Sequence, residues 1–253
     1  MKYLKIEEKN NFKLLTLNRP EVKNAFNPEM ISEITAFFQN INTDLNSETN
    51  IKAVMIKGEG NIFCAGADLN WMKEMVNYSF EQNVQDSEKL WDMFEAIKNC
   101  ELPVIAKVQG SVFGGALGIL ACADYVFATE NTKFCFSEVK LGLAPAVISS
   151  FVLRKCSDAL IRPLMLSAEV FDAPAAETVG LVHRRFHSEV ADGMILEYFE
   201  DNGIEAMRET KKLLNQISTA SWAEQKKLTT TVISQRRTSA EAQERLKKFL
   251  DKK

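Results

Sequence analysis

Alternating and periodic apolar positions divide the chain into short strands and longer helices. Residues 3–8 and 12–17 alternate on either side of the turn-forming pair Asn10–Asn11, which predicts a β-hairpin. Asn27 followed by Pro28 is typical of a helix start, with Asn as the cap and Pro in the first turn. That helix is predicted to continue to about Asn46.

The order strand, loop, helix, strand then recurs along the chain. This recurrence indicates an α/β fold with right-handed crossovers. After about residue 189 the sequence becomes almost wholly helical and ends in an amphipathic helix over residues 239–253. Strands are predicted at 53–56, 104–108, 124–128 and 133–136, a long helix at 81–100, and loops at 57–65, 109–113 and 137–147.

Composition and charge narrow the class of protein. The 253 residues suffice for one large domain, and the formal charge of −3 gives no reason to expect a nucleic acid or an anionic membrane as partner. The first residues have no apolar signal core, and the most apolar stretch, 112–128, is too short and too interrupted to span a bilayer. We therefore expect a cytoplasmic protein. Its five scattered cysteines, predicted to be reduced core residues, are Cys64, Cys100, Cys122, Cys135 and Cys156.

The two histidines, His183 and His187, restrict the available chemistry. The chain has no H-E-x-x-H, C-x-x-C or G-x-S-x-G pattern, so neither a metal site nor a Ser-His-Asp triad is predicted. His183 follows a helix end and is interpreted as a strand-edge residue. Carboxylates and backbone amides remain as the groups that can carry a reaction.

Three loop-to-helix junctions supply such groups. Small residues at Ala65-Gly66-Ala67 let another molecule approach the backbone, and a helix that begins there presents free amides. Gly114-Gly115 opens an apolar helix in the same way, where amides favour developing negative charge. Glu138 stands in an otherwise apolar loop, which predicts a raised pKa suited to proton transfer.

In this order, the segments resemble the crotonase (enoyl-CoA hydratase/isomerase) superfamily over essentially the whole chain. Residues 65–69 match its A-G-A-D-[LI] motif, residues 110–124 its glycine-rich helix, and residues 137–145 its glutamate-bearing loop, while residues 18–26 resemble its first CoA-contacting loop. The resemblance implies an α/β, crotonase-like spiral of ββα units over residues 1–190. A helical C-terminal trimerisation region would follow over residues 191–253.

The resemblance also implies the roles of individual residues. The amides of Ala67 and Gly115 would hold a thioester oxygen, and Glu138 would move the proton. No metal or redox cofactor is implied, since coenzyme A arrives with the substrate, and the expected assembly is a homotrimer or a hexamer of two trimers. Contacts to CoA or substrate are expected at Lys23, Ala25, Ala65, Gly66, Asp68, Leu69, Val112, Gly114, Gly118, Ser137, Leu143, Phe249 and Lys252, the last two commonly reaching a neighbouring subunit.

Gly118 departs from the pattern, because typical hydratases of the family carry a second glutamate there. Residues 113–118 and 143–149 are most similar to the methylglutaconyl-CoA hydratases of leucine catabolism and the carboxygeranoyl-CoA hydratases. This favours reversible hydration of a 2-enoyl-CoA, with the space at Gly118 expected to accept a branched or carboxylated acyl group.

Other functions stay open. A Δ3,Δ2-enoyl-CoA isomerase needs only Glu138 and the two amides, and a non-catalytic acyl-CoA-binding protein needs neither proton transfer nor turnover. Other crotonase reactions need further residues such as a nucleophilic aspartate, and Asp68 is interpreted as structural. Trp71, Met72 and Met75 are interpreted as a core or pocket-wall face, and Lys211-Lys212 as a solvated helix face.

Overall fold

The computed structural model describes residues 1–44, 50–187 and 190–251. Within these ranges the chain forms nine strands, eleven α-helices and 3₁₀ helices at Pro20–Val22 and Glu138–Leu141. The strands are β1 (Leu4–Lys9), β2 (Phe12–Leu17), β3 (Ala53–Gly58), β4 (Val104–Val108), β5 (Ser111–Phe113), β6 (Tyr125–Thr129), β7 (Lys133–Cys135), β8 (Phe171–Asp172) and β9 (Arg184–Phe186). The helices are α1 (Pro28–Asp44), α2 (Leu69–Met75), α3 (Phe80–Lys98), α4 (Ala116–Cys122), α5 (Ala146–Lys155), α6 (Asp158–Ser167), α7 (Ala173–Thr178), α8 (Asp192–Glu200), α9 (Ile204–Ile217), α10 (Trp222–Thr238) and α11 (Ala240–Leu250).

The strands form two sheets. A six-stranded sheet has the order β1-β2-β3-β4-β6-β9, in which only β1 and β2 pair antiparallel. A three-stranded sheet has the order β5-β7-β8, with β5 and β7 parallel. Parallel neighbours that are joined through helices confirm the predicted α/β class.

The inner strands of the six-stranded sheet, β2, β3, β4 and β6, are largely buried, whereas β1 is exposed after Leu4. Successive side chains of a strand point to opposite sides, so the inner strands pack against other elements on both faces. One face meets α1, α3 and α4 in the main core. The other face packs against Ile195 and Leu196 of α8. The register aligns the row Leu15, Ile56, Ala106 and Val126 on the first face and the row Leu14, Met55, Ile105 and Tyr125 on the second.

Several predicted elements are confirmed. The hairpin forms as β1 and β2, and α1 begins at Pro28 with the Asn27 side chain accepting a hydrogen bond from the Met30 amide at 2.8 Å. Its predicted end at Asn46 lies outside the described residues. All five cysteines are buried and unpaired, as expected.

Two predicted loops contain regular structure. Residues 111–113 form β5, and part of the 137–147 loop is the 3₁₀ helix Glu138–Leu141. Both elements have three or four residues, which is too short for a periodic pattern to reveal. The division of the chain at residue 190 stays a prediction. Among the described residues, no helix combines the length and apolar character needed to cross a lipid bilayer.

The prediction that Lys211 lies on a solvated helix face is wrong. Its side chain on α9 is buried, and its ammonium group donates to the Leu102 carbonyl at 2.9 Å and to Asp124 Oδ2 at 2.6 Å. Lys212 is exposed, as expected. Adjacent lysines in a helix point about 100° apart, so one of the two can face the core while the other faces water.

An ion triad fastens α8 to the outer face of the sheet. Asp192, the first residue of α8, accepts from Lys57 of β3 at 2.6 Å and from Lys107 of β4 at 2.8 Å. Burial by itself raises the pKa of Asp192, but the two lysine hydrogen bonds outweigh burial and hold that pKa below its usual range.

Replacing Asp192 by Asn should lower the free energy of unfolding by about 1–2 kcal/mol at pH 7, since two partly buried lysines lose their shared anion. Because the folded-state pKa of Asp192 is depressed, its stabilisation is present above about pH 3.9 and is lost as pH falls through the lower folded value. Urea unfolding of the wild type, D192N and the exposed α8 control E197Q checks this. Equal stability of D192N and E197Q would contradict it.

Candidate active site

The loop before α2 presents the amide of Ala67 outward. Phe26 pairs with Ala67 as a parallel bridge, in which the Phe26 amide donates to the Gly66 carbonyl and the Asp68 amide donates to the Phe26 carbonyl, each at 2.7 Å. In such a pairing the amide of the opposite residue points away from the partner strand. The hydrogen bonds of the described residues include none donated by Ala67, which is only partly buried.

Gly66 brings this loop against the backbone at Phe113 and Gly114. A Cβ atom on Gly66 would lie 2.9 Å from the Phe113 carbonyl oxygen and 3.8 Å from the Gly114 Cα, and Gly66 has φ +94°. Only glycine tolerates both the contact and that conformation. The close approach places Ala67 beside the residue that follows Gly114.

That residue, Gly115, precedes α4 and provides a second outward amide. Gly114 is anchored to β7, because its amide donates to the Cys135 carbonyl at 2.9 Å. The described residues include no acceptor for the Gly115 amide, and Gly115 is partly exposed. The ring of Phe26 lies 3.8 Å from a Cβ position on Gly115, so Phe26 contacts both amide-bearing loops. Sequence reasoning did not assign Phe26 to the site.

Glu138 places a carboxyl group beside Gly114, the residue that precedes Gly115. A Cβ atom on Gly114 would lie 3.6 Å from Glu138 Oε1 and 3.4 Å from Ser137 Oγ. Glu138 Oε2 is buried and has no hydrogen-bond partner among the described residues. Burial raises the pKa of this carboxyl and outweighs a hydrogen bond from its own backbone. The predicted upward shift of the Glu138 pKa is confirmed in direction.

A buried ion pair joins the 18–26 loop to the Ala67 loop. Arg19 Nη2 lies 2.7 Å from Asp68 Oδ2, and Arg19 Nη1 donates to the Ala25 carbonyl at 2.6 Å. Asp68 Oδ1 caps α2 by accepting from the Asn70 amide at 2.8 Å. Burial alone would raise the pKa of Asp68, but these hydrogen bonds hold it below its usual range. The structural interpretation of Asp68 is confirmed, and its carboxylate is not available as the expected ligand contact.

The backbone around Lys23 is fixed by Asn24. Both residues have left-handed φ angles, +57° and +54°, and the fully buried Asn24 side chain bonds to the Arg19 amide and to the carbonyls of Glu59 and Ile62. The Ala65 amide donates to the Lys23 carbonyl at 3.0 Å. Three expected CoA contacts, at Lys23, Ala25 and Ala65, therefore lie together.

Gly118 does not leave the space that was expected. A Cβ atom there would lie 2.4 Å from Phe94 Cζ and 2.9 Å from Ile148 Cγ2. The Phe94 ring, fully buried, packs 5.5 Å from the ring of Phe151 and fills the volume beside Gly118. The expectation of room for a branched acyl group at this position is wrong, because an aromatic side chain from α3 occupies it.

The remaining predicted residues are dispersed around this centre. Leu69 and Leu143 are exposed near the α2 start and the 3₁₀ helix, whereas Val112 is fully buried within β5. The expected ligand contacts of these residues stay predictions. Phe249 is on α11, whose hydrogen bonds reach Asp201, Glu205 and Ala206. Lys252 lies outside the described residues.

Other predicted side chains belong to the core. Trp71 is buried in the main core, with Met75 packed against it. His183 precedes β9, as expected for a strand-edge residue, and its Nδ1 accepts from the Val126 amide at 2.9 Å. Burial lowers the pKa of His183 to about 4, so the ring is neutral at pH 7.

The protein has an α/β fold in which the amides of Ala67 and Gly115 have no acceptors among the described residues and the buried carboxyl of Glu138 lies beside Gly114. Residues 7–253 match the family model described as enoyl-CoA hydratase/isomerase. A crystal structure described as an enoyl-CoA hydratase/isomerase (crotonase) from Legionella pneumophila is 36% identical, with a TM-score of 0.90 over 99% of this chain and 97% of that one. The chain belongs to the enoyl-CoA hydratase/isomerase family and has the crotonase fold.

Two curated relatives match over part of their length. Enoyl-CoA hydratase AKT6-1 of Alternaria alternata is 31% identical over 188 residues, which are 74% of this chain and 60% of that protein. The 2,3-dehydroadipyl-CoA hydratase of Escherichia coli is 33% identical over 187 residues, or 73% of this chain and 68% of that protein.

Replacing Gly118 by Ala should destabilise the protein by about 1–3 kcal/mol, since the new methyl group meets the Phe94 ring in a filled core. The same change in an F94L background should cost clearly less, because leucine leaves room. Gly193→Ala is the control, since nothing lies within 4 Å of a Cβ atom there. Urea unfolding of the four variants measures the difference. An equal cost of G118A in both backgrounds would show that Phe94 does not fill this space.

Proposed function

We propose that this protein catalyses the reversible hydration of a 2-enoyl-CoA thioester with Glu138 as its single proton-transfer residue. One observation carries the proposal. The amides of Ala67 and Gly115 have no acceptor among the described residues, and the buried carboxyl of Glu138, whose Oε2 atom has no partner among those residues, lies beside Gly114. Family membership supports an acyl-CoA as the substrate.

The two amides would bind the thioester carbonyl oxygen. Addition of water to the double bond moves electron density onto that oxygen, and fixed N–H donors stabilise the resulting enolate. Each donor of this kind contributes roughly 3 kcal/mol to transition-state stabilisation. Both amides stand at loop-to-helix junctions fixed by Gly66 and Gly114, so little reorganisation is needed during the reaction.

Glu138 would serve as base and then as acid. Ionised Glu138 takes a proton from water as the oxygen bonds to C3, and the electron pair of the C2–C3 double bond moves into the enolate. The enolate collapses as Glu138 returns its proton to C2, which regenerates the carboxylate. The net change is addition of one water, and the reverse sequence is dehydration. A raised pKa suits a group that must both accept and release a proton.

The acyl group is proposed to carry a second carboxyl group. Two observations support this: the sequence similarity of residues 143–149 to hydratases of branched, carboxylated acyl-CoA, and a relative named 2,3-dehydroadipyl-CoA hydratase. Phe94 fills the volume beside Gly118. The carboxylated end of the acyl group would therefore extend from the Ala67–Gly115 site in another direction.

Δ3,Δ2-Enoyl-CoA isomerisation is the second candidate. Here Glu138 would remove a proton from C2 of a 3-enoyl-CoA and return it to C4. Phe94 fills the space beside Gly118, where a second glutamate side chain would otherwise fit. This favours isomerisation, because that reaction needs only one carboxylate. A binding protein without catalysis is disfavoured, because a buried carboxyl without a partner costs stability.

The CoA moiety is proposed to lie along Lys23, Ala25 and Ala65, with Phe249 and Lys252 reaching it from a neighbouring subunit of a trimer or hexamer. Exposed apolar side chains on the C-terminal helices, such as Trp222 of α10 and Leu246 and Leu250 of α11, support burial between subunits.

Glu138→Gln should lower kcat by about a hundred- to ten-thousand-fold while leaving the affinity for an unreactive acyl-CoA thioester within a few-fold. Because burial raises the Glu138 pKa and the ionised form accepts the proton, wild-type kcat/KM should fall with decreasing pH at a midpoint above about 4.3. Steady-state kinetics of the wild type, E138Q and the exposed control E169Q check this. Retained turnover in E138Q would refute the proton-transfer role.

Ultraviolet absorbance of the conjugated enoyl thioester distinguishes the candidate reactions. Crotonyl-CoA, 3-methylglutaconyl-CoA, 2,3-dehydroadipyl-CoA and a 3-enoyl-CoA are incubated separately with the protein. Loss of absorbance with a conjugated substrate indicates hydration, and a preference for the carboxylated substrates supports the proposed acyl class. A gain with the 3-enoyl substrate alone indicates isomerisation, and no change with any of them contradicts both reactions.

A further inference from the structure

Lys155 reaches from the end of α5 to the far end of α4. Its ammonium group donates to the carbonyl oxygens of Leu120 at 2.8 Å and Ala123 at 2.6 Å. These carbonyls belong to the last turn of α4 and to its C-cap residue. The last carbonyls of a helix find no N–H donors within the helix, so they need donors from outside.

Water cannot readily supply those donors, because every residue of α4 from Ala116 to Cys122 is buried. An unsatisfied buried carbonyl is strongly disfavoured. Asp124, the residue after the α4 C-cap, makes further hydrogen bonds near the C-terminal end of the helix. Its amide donates to the Val104 carbonyl, and its Oδ2 accepts from the Val104 amide. Lys155 is therefore the side-chain donor that holds the C-terminal end of α4 itself.

The opposite end of α4 begins directly after Gly115. A helix of seven residues spans about 10 Å and moves as one body, so a shift at its C-terminal end displaces the Gly115 amide. Displacement of a catalytic group by about 1 Å can cost a hundredfold in rate.

We propose that Lys155 is a positioning residue for the reaction, which fixes α4 so that the Gly115 amide meets the developing oxyanion. This inference rests on the proposed function, because the Gly115 amide matters to turnover only if an acyl-thioester oxygen binds there. Lys155 itself does not contact the substrate. The resemblance to the crotonase superfamily implies no role for Lys155.

The surroundings of Lys155 make its charge sensitive to alkaline pH. Burial lowers the pKa of its ammonium group to about 8, and nearby Lys98 adds a smaller effect in the same direction, whereas the attraction of Asp124 opposes both. Asp124 also binds Lys211, and the neutral His183 and the buried thiols of Cys122 and Cys156 complete the titratable neighbours. A neutral amine donates weaker hydrogen bonds than an ammonium group. Lys155 therefore holds the C-terminal end of α4 less firmly as pH rises through the Lys155 pKa.

The test compares Lys155→Met and Lys155→Arg with the wild type in the conjugated-thioester assay. Methionine removes both donors, and kcat should fall by about tenfold or more with KM changed by less than about threefold. Arginine stays protonated and can still donate, so activity at pH 7 should be largely retained. Arg154→Met, at the exposed neighbouring position on α5, is the matched control and should behave as the wild type.

The pH profile of kcat separates positioning from a merely structural role. The wild type should lose activity with an apparent midpoint near 8, whereas K155R should stay flat through that range. Hydrogen–deuterium exchange of residues 114–124 should be faster in K155M than in R154M, whether or not the substrate is known. Unchanged kcat in K155M, or a wild-type kcat that is flat across pH 8, overturns the inference. If instead the wild type turns over no enoyl-CoA, the proposed function itself has failed.

Discussion

The contact between Gly66 and the backbone at Phe113 is the constraint on which the site depends. A side chain at Gly66 would meet the Phe113 carbonyl at 2.9 Å, so the two loops approach as closely as bare backbones allow. This approach brings the loop that carries Ala67 against the Phe113–Gly114 backbone, which leads directly into Gly115. Phe26 fixes the arrangement from behind, with its backbone bonded to the first loop and its ring against the second.

The polar groups of this region divide into two sets. Arg19, Asp68 and Asn24 are buried and bonded to one another or to backbone, which ties the 18–26 loop to the α2 start. The amide of Gly115 and the Oε2 atom of Glu138, by contrast, have no partner among the described residues. Leaving buried polar groups unpaired costs stability, and the surrounding paired network offsets that cost. Unpaired groups inside a well-paired frame are the pattern expected where a ligand completes the bonding.

Sequence reasoning located the backbone part of the site because glycines at loop-to-helix junctions leave a local pattern. Gly66, Gly115 and Glu138 could be identified in this way, as could the capping start of α1. Phe26, Phe94 and Lys155 could not, because each acts through a contact with a residue distant in the chain. An apolar ring in the sequence predicts only a core position. Lys211 shows the converse error, since a lysine in a helix is expected to be solvated until its ion pair with Asp124 is known. The lack of a side chain at Gly118 likewise led to the prediction of an open space, which the ring of Phe94 from α3 fills.

The filled volume beside Gly118 shapes the chemistry that α4 can support. This helix carries no polar side chain from Ala116 to Cys122, so it contributes to the site through its first amide and through packing alone. A carboxylate cannot be added at Gly118 without moving Phe94, and Phe94 is held in turn by Phe151. In the proposed mechanism, any proton that leaves the reacting carbon or water would then return through Glu138. The left-handed Gly142, whose amide bonds to the Glu138 carbonyl, closes the 3₁₀ helix and keeps that one carboxyl beside Gly114. Fixing a single carboxyl in this way serves hydration and isomerisation equally, so the acyl group that binds, rather than the proton carrier, decides between them.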